Sequence, residues 1–388
     1  MSDHGYEDIM QKLIRFDTTS RYSNLEMIEF IEDFLLGYGV SSTRIPNETG
    51  DKTSLYATIG PEGISGIGLS AHTDVVPVDG QSWTSNPFEL EEKEGRYYGR
   101  GTTDMKGFLS CILSLVPELT KRELHMPVHL LLSYDEEIGC IGVRPMVDEL
   151  GKTLTKPKMV IVGEPSNMQV ISGHKGIHAF VTEVTGKEAH SSVVDLGVNS
   201  VSYASRLIVE LDRVGSLLRT SHVDERFTPS FSSVHVGKID GGTALNIVPK
   251  KCRFLWEIRS LPGAQVDHIV GEFLDYSEKL VMEMRKVSEE AGIQTTKVNS
   301  VPTFQTAQSV GGEELLSLSL RWAGQNEIGV VSYGTEAGFF ELGDCPTVIC
   351  GPGSIEQAHK PDEFIEKDQM DKCMKFLRNI RDYVSKPS

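Results

Sequence analysis

The sequence predicts an α/β protein of two domains, and three observations predict it. Short apolar runs of strand length alternate with segments of helical period, polar side chains suited to a divalent metal follow those runs, and the middle of the chain carries strands and helices of its own. At 388 residues the chain also exceeds the roughly 250–300 at which one hydrophobic core stops growing.

Apolar residues first recur at helical spacing, Ile9, Leu13 and Ile14 and then Met27, Ile28, Ile31 and Leu35, with Gly37 and Gly39 as stops; this predicts two helices. Strand-length runs follow at Leu55 to Ile59, Ile67 to Ala71, Val128 to Ser133 and Met159 to Val162. Helical patterns at Met105 to Leu119 and Ile141 to Leu150 separate them, which predicts a sheet with helices on both faces. Strand-like Ile177 to Val184, helix-like Val198 to Val214, strand-like Ser233 to Ile239 and Arg253 to Arg259, and helix-like Val266 to Val287 then give a βαββα order. We read this as a small inserted α+β domain over 177–292, splitting the first domain into 1–176 and 293–388, with the first domain resuming near Thr295 and closing on a helix from Gln369 to Tyr383.

Hydrophobic residues at 39% fill two cores, and charged residues at 24% form no long single-sign run, as in ordinary globular enzymes. No segment approaches the ~20 apolar residues of a membrane span, so no membrane partner is expected. Met1 to Asp8 lack the basic-then-apolar pattern of a secretory leader, and a cytoplasmic location is expected. Six dispersed cysteines without a CxxC pair read as reduced core thiols, with zinc–thiolate binding a remote second choice. A formal charge of −17 repels phosphate backbones, so nucleic acid is not an expected partner. The same field opposes an anionic metabolite, and a carboxylate substrate must meet local positive charge.

Five short segments supply metal-binding side chains: Ser70 to Asp74, Gly101 to Asp104, Asp135 to Glu137, Gly163 to Pro165 and Gln357 to His359. Two imidazoles, His72 and His359, and three carboxylates, Asp104, Glu164 and one from Asp135 to Glu137, suit zinc, cobalt or manganese, with Asp104 able to bridge a pair about 3.5–4 Å apart. Three of the segments follow strand runs, and ligand sites in open α/β sheets collect at the carboxyl ends of strands. Asp74 is placed to orient His72, although a turn aspartate is the plainer reading. For Asp104 the plainer reading is an N-cap, and for Asp135 to Glu137 a solvated loop. Adjacent Glu136 and Glu137 leave the backbone in different directions, so one can ligate while its neighbour faces the bound water as a general base.

Ser-Ala-His-Thr-Asp-Val-Val-Pro at 70–77, Gly-Arg-Gly-Thr-Thr-Asp-Met-Lys-Gly at 99–107, Asp-Glu-Glu at 135–137 and Gly-Glu-Pro at 163–165 resemble the co-catalytic zinc deacetylases and peptidases over nearly the whole chain. Tyr333 to Ala337 and Gly351 to His359 look most like the acetylornithine deacetylase branch. The resemblance implies a metallopeptidase-like catalytic domain with an inserted dimerisation domain. It also implies two divalent ions, Zn²⁺ foremost and Co²⁺ second, on His72, Asp104 and Glu164 and on Asp104, Glu137 and His359. It makes Glu136 the base, and it makes His190, in Gly186 to Ser191, a residue that reaches the partner's active site in a homodimer. From the residues alone His190 is a loop histidine. By the same likeness Asn246 and Arg259 contact the substrate's α-carboxylate, although a solvated strand position also explains Arg259. Thr335 and Glu336 become substrate contacts, Glu336 facing a side-chain ammonium.

The implied activity is hydrolysis of an N-acetyl amino acid, N2-acetyl-L-ornithine foremost, as a step of arginine biosynthesis. Alternatives of the same chemistry are a broader N-acyl-amino-acid deacylase, an acetylcitrulline deacetylase and a dipeptidase. A catalytically silent metal- or amino-acid-binding protein is the alternative from another class. Gly66 to Ala71 formally fits a dinucleotide fingerprint, but its glycines enter a strand instead of opening a helix. HExxH, GxSxG and P-loop motifs are absent.

Overall fold

The computed structural model describes residues 5–386, in two compact units. Met1 to His4, part of the stretch read as lacking a leader pattern, lie outside them.

The described part of the first unit comprises 5–173, Phe304–Gly329 and 335–386. Its mixed sheet places Ser42–Pro46, Thr53–Ile59, Val128–Ser133, Ile67–His72, Met159–Pro165 and Thr347–Gly351 side by side. The last four run parallel to one another. Every residue of these four strands is buried, which requires both faces to be covered. Helix Lys106–Thr120 packs across three strands, with Tyr6–Arg15 and Lys367–Val384 against it. Val143–Glu149 and Ala337–Leu342 pack on the sheet and on each other. Among the described residues no helix is long and apolar enough to cross a membrane. All six cysteines are buried and unpaired.

The second unit, His174–Thr303 with Val330–Gly334, holds an antiparallel sheet in the order Ser233–Gly241, Lys251–Ser260, Gly176–Thr185, Gly292–Val301. Helices Ser200–Ser221 and Val266–Arg285 cover the face on which Cys252, Phe254, Trp256 and Ile258 are buried. Phe180 stacks on Trp256 at 4.4 Å, and the indole N–H donates to Thr182 Oγ1 at 3.0 Å.

Two expectations are corrected here. The order is βαββαβ, because Thr295 pairs with Thr182 inside a further strand; the chain therefore leaves this unit after Thr303 and not at 292. That strand is polar and half exposed, so its sequence carries no apolar alternation. Gly163-Glu164-Pro165, expected to follow a strand run, is itself the end of strand Met159–Pro165.

Candidate metal centre

Parallel strands carry most of the candidate ligands to one edge. His72 ends its strand in register with Ser133, so the loop opening at Tyr134 begins beside it. Glu164 reaches the same edge because neighbouring backbone comes unusually close. A Cβ on Gly163 would lie 1.8 Å from the Phe108 ring, and one on Gly351 would lie 1.9 Å from Gly163 O. Only glycine permits both approaches. His359 stands beyond strand Thr347–Gly351 with φ 64°, a left-handed conformation uncommon for a residue with a side chain.

Asp104 lies at the centre. Its Oδ1 is 2.9 Å from His72 Nε2 and its Oδ2 is 3.1 Å from His359 Nε2, so each carboxylate oxygen faces a different imidazole. Glu137 Oε2 is 2.9 Å from His359 Nε2, and Glu164 Oε1 is 3.7 Å from His72 Nε2. The five sequence candidates thus meet. The N-cap reading of Asp104 fails, because helix Lys106–Thr120 is preceded by Met105 and has no side-chain cap. Glu136 stands with them: His72, Glu136 and Glu164 offer atoms within 4.8 Å of one another, as do His72, Asp104 and Glu137.

Asp74 works differently from expectation. His72 Nδ1 is 2.9 Å from the main-chain oxygen of Asp74 and 3.5 Å from its carboxylate. The carboxylate instead accepts the N–H groups of Glu136 at 3.0 Å and Glu137 at 3.3 Å, and the Ser20 hydroxyl at 2.7 Å. One residue therefore orients the imidazole by its backbone and the acidic loop by its side chain. Asp135, at φ 54°, turns to Lys52, whose ammonium lies 2.6 and 2.8 Å from its two oxygens. Lys52 escapes sequence reasoning because a lone lysine before a strand reads as a solvated charge.

Burial pushes the carboxyls of Glu136 and Glu164 well above the usual range, with help from neighbouring acids, and brings Glu137 to about 7. Burial acts the same way on Asp104, but hydrogen bonds with His359 and His72 hold that carboxyl below its ordinary value. Hydrogen bonds with Asp104 and Glu137 lift His359 to about 11. Four carboxylates crowded on two imidazoles are short of positive charge, and Glu137 Oε1 is buried without a hydrogen-bond partner. A cluster of nitrogen and oxygen donors with an orphaned acid oxygen fits divalent cations.

Thr335 and Glu336 are both 1% exposed. Thr335 Oγ1 accepts Ala337 N–H at 3.1 Å, at the start of helix Ala337–Leu342. Glu336 accepts the hydroxyls of Ser70, at 3.1 Å, and Ser133, one on each oxygen. Glu336 thus braces the strands that carry Ser70 and Ser133 from within, each of its oxygens taken by a hydroxyl.

The remaining candidates belong to the second unit. His190 is exposed; its Nδ1 accepts Ser192 N–H at 3.2 Å, and Ser191 N–H donates to Asn246 O at 3.0 Å. His190 thus forms an isolated antiparallel bridge with Ile247, the residue after Asn246. Arg259 lies on the face opposite Trp256, and its Nε donates to Glu257 at 3.0 Å.

A covered parallel sheet whose carboxyl edge gathers two imidazoles around a shared carboxylate defines a metal-dependent hydrolase. The chain belongs to peptidase family M20/M25/M40, whose pattern it matches over residues 68–381. It is 34% identical to the acetylornithine deacetylase of Proteus mirabilis over 90% of this chain and 87% of that one. It is 33% identical to the acetylornithine deacetylase of Pasteurella multocida over 92% and 91%. In fold it is similar to the aminopeptidase PepT of Bacillus cereus, with a TM-score of 0.77, 17% identity and 100% coverage of both chains.

Proposed function

We propose that the chain hydrolyses N2-acetyl-L-ornithine to L-ornithine and acetate, with one divalent ion on His72, Asp104 and Glu164 and a second on Asp104, Glu137 and His359. The observation that carries this reading is the placement of one Asp104 oxygen toward each imidazole, at 2.9 and 3.1 Å. Zinc is the ion this donor set suits best and cobalt the second. When bound, such a pair lowers the pKa of water and polarises an acyl carbonyl.

Glu136, held by Asp74 through its own N–H, takes the proton of the attacking water. As a C–O bond forms and the C–N bond breaks, Glu136 returns that proton to the departing amine, so water is consumed and no net proton is lost. His190, supplied by the partner protomer of a homodimer, donates to the carbonyl oxygen as charge develops there. Asn246 and Arg259 receive the α-carboxylate, which answers the repulsion set by a net charge of −17. We place the enzyme in the cytoplasm. The burial of Glu336 favours, as a second reading, a broader N-acyl-amino-acid deacylase, since the acid offered for a side-chain ammonium is occupied.

Chelator-treated enzyme should release no acetate from acetylornithine and should regain turnover on addition of zinc or cobalt. Acetate release that ignores metal content would sink the hydrolytic reading. Equal rates on acetylornithine and uncharged acetyl-amino acids would select the broader deacylase.

A further inference from the structure

One acid outside the ligand set grips two of its members. Glu363, 1% exposed, comes from the same segment as His359. Its Oε1 accepts the N–H groups of Thr103 at 2.9 Å and Asp104 at 3.1 Å. Its Oε2 accepts Gly101 N–H at 3.0 Å and the Arg100 guanidinium at 2.6 Å. Arg100, also 1% exposed, donates onward to Gln81 Oε1 at 2.6 Å, and Gln81 Nε2 donates to the main-chain oxygen of His359 at 2.8 Å. Phe364–Glu366 pairs with Arg96–Tyr98 just beyond, and Thr103 Oγ1 donates to Phe364 O at 2.6 Å. These contacts reach the Asp104 loop and the exposed His359, whose backbone is left-handed.

We infer that Glu363 is a positioning residue for the second cation site: it fixes the backbone that aims Asp104 and, through Arg100 and Gln81, the backbone that aims His359. The inference rests on the reading of a metal pair. It predicts an unequal effect: Asp104 serves both sites, but His359 serves the second alone, whereas His72 and Glu164 are set by strand ends. Loss of such an outer hydrogen-bonding partner typically costs about 10–100-fold in metal affinity.

The test is titration of metal-free enzyme with cobalt(II), read by visible absorption and by metal content after gel filtration, with folding followed by circular dichroism and cooperative melting. Wild type should take up two equivalents. Glu363→Gln should retain the first and bind the second about 10–100-fold more weakly. Should Glu363→Gln fail to fold because Arg100 is left buried without its partner charge, Gln81→Ala decides. That variant removes the bond to His359 O and should weaken the second equivalent alone. A folded variant that binds both equivalents as wild type does, or loses both equally, overturns the inference while the metal pair stands. A wild type that binds fewer than two overturns the metal pair and the inference with it.

Discussion

The carboxyl edge of the parallel sheet and the small antiparallel unit both offer polar residues for chemistry, but under opposite conditions. At the edge, His72, Asp104 and Glu164 are 1%, 5% and 4% exposed, and each leans on an oppositely inclined partner. In the second unit His190 and Asn246 stand in solvent, and half-buried Arg259 pairs with Glu257. A buried charge persists only where something compensates it, whereas an exposed one costs the fold little. The first group is therefore legible from its own geometry. The second becomes meaningful only when a ligand or another protomer meets it.

Glu136 gives the sharpest separation, since it sits among the ligands yet is proposed to leave them free. Glu136→Ala should lower turnover by about 10²–10⁴-fold while metal content stays at the wild-type value. Near-normal turnover would take Glu136 out of the base role, and lost metal would make it a ligand. For the solvent-exposed group, His190→Ala should cost about 10²–10³-fold, the usual loss for one oxyanion donor. Mixing the two inactive variants probes where His190 acts. A hybrid dimer has one site with an intact Glu136 and an intact His190 only if the histidine crosses between protomers. Recovered acetate release supports the crossing; none, in a demonstrated hybrid, makes His190 local.

Much of the edge is visible in the sequence because strands buried on both faces are continuous apolar runs, as in Val128–Ser133, and the ligands stand at their ends. The strand Gly292–Val301 is hidden for the converse reason: a polar edge strand resembles a loop. Asp104 is ambiguous in sequence, since a helix cap and a bridging ligand both place an acid just before a helix. Only the arrival of His359 decides it, and that depends on the pairing of Phe364–Glu366 with Arg96–Tyr98, a long-range closure without a local signature. Glu363 and Lys52 are silent because a single charge in a polar stretch gives no hint of what it will be folded against.

Glu336 belongs to the buried group although the sequence suggested a role of the other kind, and the smallest expected effect tests that reassignment. Burial pushes its carboxyl up to about 7, against the lowering pull of the Ser133 hydroxyl. With a folded pKa above the unfolded one, its protonated form stabilises the protein below the unfolded pKa, and that contribution is lost as pH rises through about 7. Glu336→Gln keeps an acceptor for one serine and cannot ionise. Its stability relative to wild type should therefore improve as pH is raised from about 5 to 8, read as a shift in urea midpoint. Turnover should fall less than about tenfold, the scale of one hydrogen bond, and by the same factor on acetylornithine and on an uncharged acetyl-amino acid. A loss confined to acetylornithine would return Glu336 to the substrate and show that the strand ends open to admit an ammonium group.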